Sequence, residues 1–152
     1  MTDEDKIQYW LKLSDNDLKV AGAMLQGKFY LYVAFMCHQS VEKIFKGVYI
    51  KLKNEDPPYT HDLSHIAVNG NFWDSLSETQ QDFIEQLGPL NIRTRYPDYK
   101  QDLAKQLSQE RCKEILEQTT NLQQWTKKKG KVPSKGDERE NETEKDVSVL
   151  DK

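Results

Sequence analysis

The sequence predicts an all-α protein: an up-and-down bundle of four main helices plus one short helix, followed by a disordered C-terminal tail. Three observations carry this. Long segments repeat apolar residues at spacings of three and four, no segment alternates apolar and polar residues as a half-buried strand does, and apolar residues almost vanish after Trp125.

The first helical segment places Ile7, Leu11, Ser14, Leu18, Ala21 and Leu25 on one face, with Ser14 its only polar member. Asp3, Glu4 and Asp5 suit the positive end of the helix dipole, and Gly27-Lys28 suits the other end. The second segment carries Tyr30, Val33, Ala34, Cys37, Val41, Ile44, Phe45, Val48 and Leu52. Its first half is apolar nearly all round, which predicts cover on both sides. The gap between the two segments is short, so they should be antiparallel neighbours. Pro57-Pro58 forces a loop over residues 54–59. Thr60 is a candidate cap for a short helix from His61 to about Val68, ending at Asn69-Gly70. Ser77 and Gln80 have capping-box spacing ahead of Phe83, Ile84, Leu87 and Leu90, and Pro89 predicts a kink near Gly88. The last helix should run from about Ser108 to Thr126, with Cys112, Ile115, Thr119, Leu122 and Trp125 inward. Residues 99–107 are compatible with an extension of its N-terminus.

At 152 residues the chain suits one domain. Residues 127–152 hold fifteen charges and no aromatic, with Val132, Val147, Val149 and Leu150 their only apolar side chains. Such a segment cannot bury enough surface to order itself. The expected division is therefore a bundle over 1–126 and a mixed-charge tail over 127–152. The bundle carries 14 basic and 18 acidic side chains, so any phosphate contact must be local; proteins built to grip a polyanion show a basic excess. No apolar run reaches membrane-spanning length, and the polar, acidic N-terminus does not read as a signal peptide. Cys37 and Cys112 lack metal-ligand spacing and read as reduced core thiols of a cytoplasmic protein.

Three groups of residues can carry chemistry. In NIRTRYPDYK (residues 91–100), Arg93, Arg95, Tyr96, Tyr99 and Lys100 pair cationic groups with aromatic faces, a combination suited to a phosphate and a stacked base. The same stretch also reads as a turn closed by Tyr96-Pro97-Asp98. His38, Glu42 and Lys46 are spaced four apart beside a parallel strip of Gln39 and Lys43. They form either a solvated face with i,i+4 pairing or a polar wall opposite the Arg93/Arg95 loop. His61 and His65 are also four apart, but Asp62 is too short for the role glutamate plays in zinc proteases and no third ligand is evident. No metal site is expected, His61 falls in the first turn of its helix, and His65 is partly buried.

Several phrases resemble the HEPN domain family. "YWLKLSDNDLKVAGAMLQGKFYLYVAFMCHQSVEKIFKGVYI" is similar to its first two helices, with Gln39-Ser40-Val41-Glu42-Lys43 as the core of the second. "THDLSHIA" (residues 60–67) and "TRYPD" (residues 94–98) match its short third helix and the loop before its last one. Together they span about residues 4–126. The resemblance implies a helical bundle that commonly dimerises and works in nucleotide or RNA biology, often beside a minimal nucleotidyltransferase partner. It implies no cofactor. Some members are metal-independent, toxin-like ribonucleases with an Arg-x(4–6)-His motif; others bind nucleotide without cleaving it.

The ribonuclease motif has a clear physical basis, since an arginine steadies the phosphorane while a histidine moves a proton. This chain does not contain it. Its histidines (His38, His61, His65) all precede its arginines (Arg93, Arg95, Arg111, Arg139), and Arg93 is followed at the matching distance by Asp98. An aspartate near two arginines stays ionised and cannot serve as the acid. The expectation is a non-catalytic domain that binds nucleotide or RNA through Arg93 and Arg95, with Tyr96, Lys43 and Lys46 as secondary contacts; the alternatives are a divergent ribonuclease, with a histidine from another helix filling the vacancy, and a pure protein-interaction module.

Overall fold

Helix α1 (Asp3–Gln26) opens with a reciprocal cap: the Asp5 N–H donates to Thr2 Oγ1 and the Thr2 N–H donates to the Asp5 carboxylate, both at 3.1 Å. The computed structural model describes residues 1–91 and 97–130, with the backbone alone at 97–100, 129 and 130. It continues through α2 (Tyr30–Lys53), α3 (Leu63–Asn69), α4 (Glu78–Leu87), α5 (Pro97–Gln106) and α6 (Gln109–Gly130). Two 3₁₀ turns, Trp73–Ser75 and Gly88–Leu90, flank α4. No strand occurs among the described residues, so the fold class is the one the periodicity predicts.

Helix α2 is the axis, packing against α1, α3, α5 and α6. Its turn with α1 is made by Gly27-Lys28-Phe29. The Phe29 N–H donates to Met24 O at 2.8 Å and the Lys28 N–H to Leu25 O at 3.1 Å, a Schellman pattern. The left-handed residue is Lys28 (φ 64°), not the glycine (φ −80°). Gly27 is small for another reason: a Cβ there would lie 2.8 Å from the Phe29 ring. The same device ends α3, where Asn71 takes φ 63° and a Cβ on Gly70 would meet the Phe72 ring at 2.6 Å. Phe72 then packs edge-on against Phe45, with centroids 5.1 Å apart.

Ser14, the polar member of the first apolar face, is fully buried and fully paired. Its Oγ donates to Ser40 O at 2.7 Å, and Ser40 Oγ donates back to Ser14 O at 3.0 Å. Gln123 of α6 donates its Nε2 to Ser14 Oγ at 3.1 Å. Contacts of Ser14 with Ser40, and of Gly47 with Trp10, run α1 antiparallel to α2. Contacts of Cys112 with Tyr30, and of Gln123 with Ser40, make α6 parallel to α2.

Several local expectations change. Helix α3 starts later than predicted, because Asp62, not Thr60, caps it by accepting from the His65 N–H at 3.2 Å. Thr60 instead accepts from the Asp62 N–H at 3.1 Å, which leaves His61 outside the helix. The capping box at Ser77 and Gln80 is present as predicted, and the helix tightens into the 3₁₀ turn where Pro89 removes a donor. Residues 97–106 form a separate helix instead of extending the last one. Ser108 accepts from the Arg111 N–H at 3.1 Å and so caps α6 afresh. Helix α6 also runs past Thr126 to Gly130, with Lys127 Nζ 2.7 Å from Asp15. The first half of α2 is not covered all round, since Tyr32 is exposed.

Lys28 bears a left-handed conformation that costs a side-chain-bearing residue about 1 kcal/mol. Lys28→Gly should therefore raise the denaturation midpoint by an amount equivalent to about 0.5–1 kcal/mol, read from urea unfolding curves with unchanged slope.

Candidate functional site

The strip His38, Glu42 and Lys46 is not a solvated face. His38 is fully buried, Glu42 is 4% exposed, and the Lys46 side chain is 11% exposed. The predicted i,i+4 pairing is present, with Lys46 Nζ 3.0 Å from Glu42 Oε2 and His38 Nδ1 3.9 Å from Glu42 Oε1. The strip is covered because α1 and the loop before α3 close over it. Lys46 sits over the Trp10 ring of α1 at 5.5 Å from its centroid. His61 reaches in from the loop, its Nδ1 3.0 Å and 3.1 Å from the two Glu42 oxygens.

Glu42 is thus a buried carboxylate shared by a lysine and a histidine. Removing it from water is costly, and two charge-assisted contacts offset that cost. With Nδ1 turned to Glu42, Nε2 is the ring nitrogen on the far side of His61. The imidazole is about half exposed and lines a cleft of about 510 Å³ with Asp62, Ser64, Glu85, Pro89 and Asn91. Asn91 is 3% exposed and marks the point where the chain enters residues 92–96.

Arg93, Arg95 and Tyr96 lie outside the described residues. The chain on either side of them is placed: the 3₁₀ turn before Asn91 and helix α5 after it both pack on α2. Of the two lysines, Lys46 joins the Glu42 cluster. Lys43 is turned to α1, where its Nζ pairs with Asp17. His65 is exposed on α3. No cluster of metal-ligating side chains exists among the described residues. The part that sequence reasoning missed is the link from His61 to Glu42. It joins positions 19 apart across a proline loop, which no helical periodicity reports.

Burial disfavours the thiolate at both cysteines. Burial pushes Cys37 up to about 12, only partly opposed by its contact with Thr119, and burial raises Cys112 as well.

The described residues form a helical bundle with a charged cluster buried on its second helix. A scan of protein families matches the HEPN domain over residues 7–129, and the chain belongs to that family. Among solved structures it is similar to TT1696 from Thermus thermophilus, with 19% identity and a TM-score of 0.70 over 82% of this chain and 98% of that one. It is also similar to ST0689, an archaeal HEPN homologue, with 18% identity and a TM-score of 0.65 over the same shares. At these identities the likeness is one of fold. A comparison with curated proteins gives no match. No helix among the described residues is long and apolar enough to cross a membrane.

Two outcomes follow. Glu42→Ala leaves Lys46 largely buried without its partner and should lower stability by about 3 kcal/mol, with Glu42→Gln costing less, in chemical denaturation. Cys37 ionises in the unfolded chain near pH 9 but not in the fold until about 12. The unfolded state therefore binds fewer protons in that window, and this thiol should lower stability by up to about 1.4 kcal/mol per pH unit as pH rises through it. Comparing the alkaline stability profiles of wild type and Cys37→Ala isolates that slope.

Proposed function

We propose that this chain binds nucleotide or RNA phosphate at the cleft beside His61 and Asn91, without cleaving it. It does so as a homodimer and with a minimal nucleotidyltransferase as protein partner. The observation that carries this is the Glu42–Lys46–His61 cluster at a cleft that Asn91 lines, two positions before Arg93. Arg93 and Arg95 supply the phosphate contacts as planar, always-charged forks, and Tyr96 supplies a stacking face. Lys46 stands one carboxylate behind His61 and neutralises Glu42, which would otherwise repel a phosphate there. Lys43, engaged with Asp17, holds α1 against α2 and contributes less to the ligand. The dimer and the nucleotidyltransferase rest on membership of the family. The acidic balance of the bundle favours a short, local contact over a long nucleic-acid track.

Calorimetric titration with ATP, GTP and a short RNA should give heat with at least one of them, and Arg95→Ala should remove most of it. No heat with any ligand, or the same heat in the variant, overturns the proposal.

A second function is favoured by one geometric fact. His61 is held by a buried carboxylate at the cleft, as a histidine that moves protons is held in many hydrolytic sites. A metal-independent ribonuclease would then take its proton-donating group from the loop before α3, since Asp98 cannot serve as the acid. Total RNA incubated with the protein in EDTA should show cleavage that falls about 10²-fold or more in both His61→Ala and Arg93→Ala. RNA left intact by the wild type removes this function and leaves binding alone.

A further inference from the structure

A second concavity lies away from the His61 cleft, where the first half of α1, the second half of α2 and the end of α6 meet. It is a groove of about 210 Å³. Ile7, Leu11 and Val48 give it an apolar lining, and Gly47 contributes no side chain to fill it. Glu4 stands at its α1 side, Lys51 at its α2 side and Lys127 on α6. A helical bundle gains nothing from leaving such a groove to water, and its size matches a few aliphatic side chains, since a cavity of about 150 Å³ already holds a benzene-sized guest.

We propose that the occupant is the chain's own segment Asp146–Asp151 (DVSVLD), docked through Val147, Val149 and Leu150. Three features select it. The groove is lined by Lys127, on the last turn of α6, so the chain leaves the described structure beside it. Beyond Gly130, these three residues are the only apolar cluster in an otherwise charged sequence, Val132 standing alone. Val147, Val149 and Leu150 fall within four consecutive positions, close enough for one groove to take them together. The flanking charges also fit. Asp146 and Asp151 bracket the apolar residues and face a groove carrying Lys51, while Lys145 and Lys152 complement Glu4.

Reach is not limiting. A polar linker between Gly130 and Asp146 spans on the order of 20–25 Å by random-coil statistics, more than the path back to Lys127 requires. Tethering presents the segment at an effective concentration of about a millimolar, so a contact too weak to persist between separate molecules is occupied within one. This inference does not depend on nucleotide or RNA binding, because the groove shares no residue with the His61 cleft.

The full-length protein tests it by NMR, comparing wild type with the double variant Val147→Asp/Val149→Asp. These changes lie in the tail and leave the bundle intact. In the wild type, Val149 and Leu150 methyls should show contacts to Leu11 and Val48 methyls. The amides of Leu11, Gly47 and Val48 should shift between the two proteins, and dilution should change neither result. Random-coil signals for residues 146–151 with no such contacts overturn the proposal. Contacts that fade on dilution also overturn it, by assigning the groove to a second copy.

Discussion

The hydrogen-bonded knot of Ser14, Ser40 and Gln123 is the constraint on which the rest of the bundle depends. Two serines on facing helices bond to each other's carbonyl oxygens, which brings the α1 and α2 backbones closer than larger side chains allow. Gln123 then fixes α6 to both. The knot is buried, so its bonds are worth less for the energy they add than for what their absence would cost. Any slide of α1 along α2 leaves buried donors without acceptors. The register of three helices follows, and with it the height at which Trp10 meets Lys46 and Glu42 meets the incoming loop.

That register is what makes the Glu42 cluster possible. Glu42 comes two residues after Ser40 on α2, so the knot and the charged cluster share one rigid stretch of helix and point to different flanks. Lys43 pairs with Asp17 of α1. Beside it, Lys46 and His61 share the Glu42 carboxylate. A single turn of α2 therefore ties together α1, α6 and the loop before α3. Glu42 and Lys46 therefore sit on a stretch of helix that has little freedom to adjust.

The helices were largely legible in the sequence because period and caps are local signals: the Ser77–Gln80 box and the Cys112–Leu122 face needed no tertiary information. The break between α5 and α6 was not legible, since Ser108 caps a helix only once Leu103 and Leu107 have found the core. His61 illustrates the same limit within the site. Its spacing to His65 suggested a shared helix, yet Thr60 and Asp62 held it in the loop and delivered it to Glu42. The residue types of the strip were visible; their burial was not, because burial depends on what a proline loop covers.

The two Gly-x-Phe corners share one backbone geometry but put their rings in different surroundings. At 70–72 the ring enters the core against Phe45, whereas at 27–29 it stays at the surface, 57% exposed. Each glycine is required by the ring two positions on, so the pair must change together during divergence. A lineage can abandon both partners at the first corner with little loss. At the second, giving up the ring would empty a site worth about 3–5 kcal/mol, and Gly70 is held in place by that distant debt. Drift among relatives should therefore be permissive at the α1–α2 hairpin and closed at the end of α3, although the two turns look alike.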